Sequence, residues 1–354
     1  MIAVIPFSLN YSQNSLFYNR FKWQKKIEPL FYEEAKRNFI EKMEQISLNT
    51  SRRYFALLKA QVQSRISKSN YSNQDTLFQI SKGRYKMGSI AENDLLQIEL
   101  SVLDSENKVI SENINFKKRS QDLSRYLDLD TENLYLSVPK ELTTFTVTLE
   151  KALEEAKANR KAVIEFRRRR LQAEQNVAQV KGNNRLKMSL RANFGVSQQG
   201  EAFNNLFQDF NQQQNVVVSL GIPILDWGVS KSKRKLVEAN KDLEINNIEV
   251  AQQQFEQEIY LHVLNWENQR NILKTAKKAK EIGIRRYEIT KKRFILGKIK
   301  ITDLNIALQE KDRSVLRYLN SLEKFWNDYY TLRRLTLYDF IKNEKIKIDD
   351  IIYD

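Results

Sequence analysis

From Val229 to Leu296 the chain runs without a proline and with Gly283 as its one glycine. A stretch of that kind spells a single α-helix on the order of 100 Å long at ~1.5 Å per residue. No ordinary domain core is that wide. The rest of the chain is punctuated almost as sparsely, with 9 Gly and 4 Pro in 354 residues, well below common usage. A chain of this length would normally divide into two or three globular domains. This one is predicted to consist mainly of long helices, each burying a narrow apolar stripe instead of sharing one round core.

Three short segments break the helical pattern by strict alternation. Ile5, Phe7, Leu9 and Tyr11 alternate with Ser8, Asn10 and Ser12, the period of a strand with one dry and one wet face. Leu186, Met188, Leu190, Ala192, Phe194 and Val196 interleave with Lys187, Ser189, Arg191, Asn193 and Gly195. That run is close to the ~9 to 11 residues a tilted strand needs to cross a bilayer. Val216, Val218, Leu220, Ile222 and Ile224 form the third, joined to the second by a polar loop from Ser197 to Gln214, so the two are predicted to pair as a hairpin. Alternation alone fits a soluble sheet on a core as well as a membrane barrel.

Elsewhere a seven-residue repeat prevails. Leu95, Val102, Val109, Phe116 and Leu123 recur at that interval, as do Leu149, Ala156, Val163 and Val177, with Arg170 interrupting. Leu308, Val315, Leu322 and Tyr329 alternate with Tyr318, Phe325 and Leu332. Such stripes pack helix on helix. Trp266, Trp326, Tyr329 and Tyr330 on these faces read as packing residues. Asp128 to Thr148, broken by Pro139, reads as an irregular connection, and Asn343 to Asp354 as a charged, frayed tail.

The chain also repeats itself. Arg84, Tyr85, Met87, Gly88, Ile90, Asp94 and Leu95 align, with the same spacing, on Arg293, Phe294, Leu296, Gly297, Ile299, Asp303 and Leu304. Each copy follows one helical stretch and precedes another, which describes an antiparallel helical hairpin made twice. Gly88 and Gly297 suit the left-handed position that ends a helix. Asp94 and Asp303 fall in the first turn of the returning helix, at the positive end of its dipole. Ala91 and Lys300 stand where a Ser or Thr would complete a capping box. A looser echo joins Leu16-Phe17 and the basic run Arg20, Lys22, Lys25, Lys26 to Ile224-Leu225 and Lys231, Lys233, Arg234, Lys235.

The run Gly221-Ile222-Pro223-Ile224-Leu225-Asp226-Trp227-Gly228, a strand end leading into a long helix, resembles the corresponding turn of the TolC family of outer-membrane efflux and secretion channels. The tips at 84–95 and 293–304 resemble that family's two periplasmic hairpin tips, and the likeness extends from about Pro6 to Leu337. It implies a mainly α fold with a small β portion: two long antiparallel helical hairpins joined to transmembrane strands. Three protomers would close a β-barrel above a periplasmic α-barrel. The expected segments are a strand of an incomplete first hairpin (1–20), a first helical hairpin (21–127), an equatorial connection (128–148), one helix (149–184), a transmembrane β-hairpin (185–226), a second helical hairpin (227–340) and the tail (341–354). The family pattern begins with a signal peptide, a helix and a first strand that find no counterpart here, so an N-terminally shortened chain is expected.

The implied function is passive export in a tripartite efflux or type I secretion system, coupled through a periplasmic adaptor to an inner-membrane pump. The implied adaptor contact falls on Arg84, Gly88, Asp94, Leu95, Arg293, Gly297, Asp303 and Leu304. Outer-membrane lipid would meet Leu186, Met188, Leu190, Phe194, Val218, Leu220 and Ile222, with Lys187, Ser189, Arg191 and Ser219 toward the lumen.

Other chemistry finds little support. With no cysteine, thiol nucleophiles and disulfides are excluded, and with a single histidine neither an imidazole metal cluster nor a Ser-His triad is expected. His262 reads as a packed or interface histidine. Asp128, Asp130 and Glu132 open like a calcium loop, but Asn133 replaces its glycine and Pro139 its closing glutamate. No cofactor, metal or catalytic role is expected. The surplus of 59 Lys and Arg over 44 Asp and Glu, +15, suits nucleic acid, an anionic surface or acidic partners alike. Arg167 to Arg170 spread around a helix and cannot all face one phosphate backbone. The alternative is a cytosolic basic coiled-coil protein that binds nucleic acid or serves as a scaffold.

Overall fold

The computed structural model describes residues 2–14, 18–131, 133–139, 145–184, 187–200, 211–221 and 224–347. Its elements, in order, are β1 (Ile2–Asn14), α1 (Arg20–Lys86), α2 (Glu92–Tyr126), α3 (Leu149–Asn159), α4 (Lys161–Asn183), β2 (Lys187–Gly200), β3 (Asn211–Gly221), α5 (Val229–Ile295), α6 (Ile301–Thr336), β4 (Tyr338–Asp339) and β5 (Glu344–Lys345). The chain divides into two units, residues 1–37 with 161–255, and residues 38–160 with 256–354.

In the first unit the three long strands form an antiparallel sheet in the order β1-β2-β3. Register aligns Tyr11 with Ala192 and Ala192 with Val216, Leu9 with Phe194, and Leu190 with Val218. Met188 lies opposite Leu220 and Ser189 opposite Ser219. Side chains directly opposite share a face, so Leu9, Tyr11, Met188, Leu190, Ala192, Phe194, Val216, Val218 and Leu220 gather on one side, and Ser12, Arg191, Asn193 and Val217 on the other. The register shifts between Val4 and Phe7, around Pro6, where an unpaired position suits a residue without an N–H. The strands outrun their alternating cores. Ser197 pairs with Asn211 and Val196 with Gln212, so the polar link predicted over 197–214 is strand at both ends. Backbone pairing needs no apolar side chain, and there is no alternation to reveal it.

Asp226 starts α5. Its Oδ1 accepts from the Gly228 N–H at 3.1 Å and its Oδ2 from the Ser230 N–H at 3.0 Å, satisfying donors that a helix start leaves unpaired. Trp227 and Gly228 take positive φ of 51° and 83° to make the turn. Hydrogen bonds from the Ser230 side chain and backbone, then from the Gly228 backbone, hold the Asp226 carboxyl below its usual range. Along α4, Arg168 donates to Glu34 at 2.6 and 3.4 Å and Arg169 to Glu244 at 2.7 Å. Two members of the arginine run are thus engaged by carboxylates.

In the second unit α1 and α2 run antiparallel, with Leu57 against Phe116 and Leu123, and Ser64 bonded to Asn113 at 2.8 Å. The connection after α2 is tied down by Gln61, whose amide donates to the Leu136 carbonyl and accepts from its N–H, each at 2.8 Å. Helices α5 and α6 pair around Trp266, which is 1 % exposed and stacks on Phe325 at 5.0 Å, with Phe145 also at 5.0 Å. Gly283 has a packing role: a Cβ there would stand 2.5 Å from Ser314 Oγ, so its absence lets the two helices approach. His262 is packed, as read, with Nε2 2.8 Å from the Asp328 carbonyl, and burial lowers its pKa.

Two segments differ from expectation here. The single helix predicted over 149–184 breaks at Arg160, whose backbone is extended (φ −71°, ψ 147°). Neither Gly nor Pro stands there; the buried Arg160 reaches Glu41 at 3.5 Å and Glu258 at 3.2 Å, and these tertiary ion pairs override local helix propensity. The stretch read as a frayed tail is ordered as far as residue 347. Its β4-β5 pair closes with Ile346 buried beside Ile40 and Leu337. Asp339 accepts from Arg333 at 3.1 Å and from the Tyr329 hydroxyl at 3.1 Å, while Arg333 also forks onto Glu44 at 2.8 and 3.0 Å. The Glu44 carboxyl is raised by burial, against the lowering effect of Arg333. Residues 348–354 lie outside the described residues.

Candidate functional site

The two repeated tips fold alike. Gly88 has φ +70° and Gly297 +72°. In the first, the Gly88 N–H donates to Tyr85 O at 2.9 Å and the Ser89 N–H to Arg84 O at 2.9 Å; in the second, Gly297 donates to Phe294 O at 2.8 Å and Lys298 to Arg293 O at 3.0 Å. This is the Schellman pattern, which needs a left-handed residue at the glycine. Helix α2 then starts after Ala91 with no side-chain cap, and α6 after Lys300, whose N–H donates to Asp303 Oδ2 at 3.4 Å. Lysine has no acceptor, so only that half of a capping box forms. Asp94 and Asp303 both sit exposed in first turns.

The structure brings the tips together. Arg84 Nη2 donates to the Ile295 carbonyl at 2.6 Å, at the C-terminus of α5, and its guanidinium lies 5.9 Å from the centre of the Phe294 ring. A cation there meets the negative end of the helix dipole and the face of an aromatic ring. Beneath lies a shared core of Leu77, Ile98, Tyr287, Phe294, Ile301, Leu304 and Ala307. Burial, then the nearby Glu288 and Asp312, push the Tyr287 hydroxyl up to about 12, so it stays neutral. A cavity of about 500 Å³ opens beside this core, lined by Arg84, Asp94, Gly297, Met87 and Lys300 among others.

Of the predicted tip residues, Arg84, Asp94 and Gly297 share that cavity, and Leu304 lies in the core. Leu95 is half-buried, while Gly88 and Arg293 are exposed. The Arg293 side chain has no hydrogen bond or ion pair among the described residues. Leu77, Ile98, Tyr287 and Ala307 were not singled out from sequence. The repeat held the signal, because Phe78 and Ile98 are the counterparts of Tyr287 and Ala307 at the same offset.

Of the predicted lipid-facing residues, Met188, Leu190, Phe194, Val218 and Leu220 share one face of the sheet, and Val218 and Leu220 are well exposed. Leu186 and Ile222 lie outside the described residues. No described helix is long and apolar enough to cross a membrane. Among the described residues no cluster of potential metal ligands occurs.

Long paired helices that carry matched tips, joined to a sheet with one apolar face, define a channel-forming class of protein. Residues 152–336 match the family model described as outer membrane efflux protein. The chain belongs to that family, and it is an outer-membrane efflux channel protein. That membership sets aside the cytosolic alternative. Among solved structures, the outer membrane channel CmeC of Campylobacter jejuni superposes with a TM-score of 0.74 at 16 % identity, over 96 % of this chain and 71 % of that one. VceC of Vibrio cholerae gives 0.68 at 13 %, over 96 % and 80 %. The open-state MtrE channel of Neisseria gonorrhoeae gives 0.67 at 12 %, over 98 % and 81 %. At these identities the likeness is one of fold. No curated protein sequence matches the chain. The family's members are channels rather than enzymes, and they work as trimers with adaptor and pump partners.

Proposed function

We propose that this chain is one protomer of a homotrimeric export duct, in which three sheets close a β-barrel in the outer membrane and the helical hairpins close an α-barrel below it. An inner-membrane pump drives substrate through the duct, and a periplasmic adaptor docks on the tips around Gly88, Asp94, Gly297 and Asp303. The duct performs no catalysis and binds no nucleic acid or cofactor.

One observation carries this reading. On α2, Leu96, Leu103 and Ile110 recur at seven-residue intervals, flanked by Leu100 and Ile114, and all five are more than half exposed. Helix α5 exposes Leu236, Leu243 and Val250 at the same interval. These are second seams, on faces the protomer does not use for its own packing, and a seam of that period is built to receive another helix. A monomer would leave them in water, which soluble monomers avoid.

The test is the mass of the detergent-extracted protein. Three copies are expected for the parent, and Leu103→Glu with Ile110→Glu is expected to release monomers. A monomeric parent, or a double variant that stays trimeric, overturns the reading.

A further inference from the structure

The two tips make the same turn but end in different surroundings. Arg84 of the first tip is half-buried and bonded to the Ile295 carbonyl of the second. Its repeat counterpart, Arg293, projects exposed from the second tip. Phe294 is 6 % exposed beneath Arg84, whereas its counterpart Tyr85 is 40 % exposed. Leu304 is buried and Leu95 only half-buried. A Cβ on Gly297 would find Arg84 Nη2 at 3.8 Å, while one on Gly88 would meet nothing within 4 Å among the described residues. Every difference has one sense: the second tip is covered by an arginine from the first, and the first tip presents the same receiving surface to solvent.

The repeat identifies the complementary group. Arg84 bonds the carbonyl two residues beyond Arg293, and the equivalent carbonyl, two residues beyond Arg84, belongs to Lys86, the last residue of α1. Within one chain Arg293 does not repeat the contact: among the described residues its side chain makes no hydrogen bond, while Arg84 already spans from the first tip to the second. A second copy can supply it.

Building on the trimer proposed above, we infer that the Arg293 guanidinium of each copy donates to the Lys86 carbonyl of the next and lies over that copy's Tyr85 ring. Arg84 and Arg293 then alternate as equivalent clasps around a closed ring of six tips. The contact is head-to-tail, the kind that closes into a ring when its rotation permits. A guanidinium at the α1 C-terminus is favoured by the helix dipole, as Arg84 is at α5. Lys82 and Lys86 add positive charge to this receiving surface, so the clasp rests on the carbonyl and the ring rather than on a carboxylate.

The absence of native cysteine allows a direct test. An arginine reaches farther than the ~7 Å between Cα atoms that a disulfide tolerates, so a short thiol-reactive bifunctional linker is applied to the detergent-solubilised protein. Arg84→Cys with Ile295→Cys should link within one chain and keep the monomer mass under denaturation. Arg293→Cys with Lys86→Cys should link between chains and give mainly a covalent three-copy band, whereas either single variant stays monomeric in the denaturing gel. If the native mass shows three copies but the Arg293-Lys86 pair links no better than the single variants, the clasp is wrong and the trimer stands. If the native mass shows one copy, both fall.

Discussion

Gly88 and Gly297 hold the left-handed conformation that closes each tip, and any substitution there combines two effects. A β-carbon strains the turn by ~1 to 2 kcal/mol, and a side chain also projects into space that an adaptor would occupy. Asparagine separates the two, because it tolerates left-handed φ better than other side chains while still filling space. Gly88→Asn and Gly297→Asn are therefore expected to leave trimer mass and thermal stability near the parent's while lowering export several-fold. Full export by both variants would remove the glycines from the adaptor surface. Their role in the turn was legible from sequence because glycine, a following acidic first turn and a matched second copy all agree. The division of labour between Arg84 and Arg293 was not, since identical residues in a repeat differ only through what lies beside them.

Elements were legible where their period was strong. Leu95, Val102, Val109, Phe116 and Leu123 form a half-buried to buried stripe on α2, as their spacing requires. The period failed where tertiary contacts or bare backbone pairing decide. Arg160 breaks a helix for the sake of two carboxylates, and Ser197 extends a strand without alternating. Helices α5 and α6 depend most on Trp266, whose ring fills the space between Phe145, Phe325 and Tyr329. Trp266→Ala is expected to cost ~3 to 5 kcal/mol, in the range of large buried aromatic truncations, visible as a lowered Tm. Among the described residues the indole Nε1 has no hydrogen-bond partner, so Trp266→Phe forfeits packing and should cost less than half as much. Equal losses would mean that a phenyl ring recovers none of the packing and that the indole itself is required.

At the scale of the whole molecule the decisive matter is which face of the sheet meets hydrocarbon. Leu190 lies opposite Val218 and Ser189 opposite Ser219, so neighbouring positions on one strand probe opposite faces while sharing depth and backbone environment. An arginine on a lipid-facing strand position costs ~2 to 4 kcal/mol at the bilayer midplane, whereas a lumen-facing one alters selectivity instead. Leu190→Arg and Val218→Arg are therefore expected to reduce the heat-resistant trimer recovered from outer membranes at least tenfold. Ser189→Arg and Ser219→Arg should assemble at parental levels, beside the Arg191 already on their face. Quantifying the four variants in outer-membrane fractions reads the orientation directly. Were the serine variants lost and the leucine and valine variants retained, the serine face would be the one against hydrocarbon, and the barrel proposed for three copies would have its faces reversed.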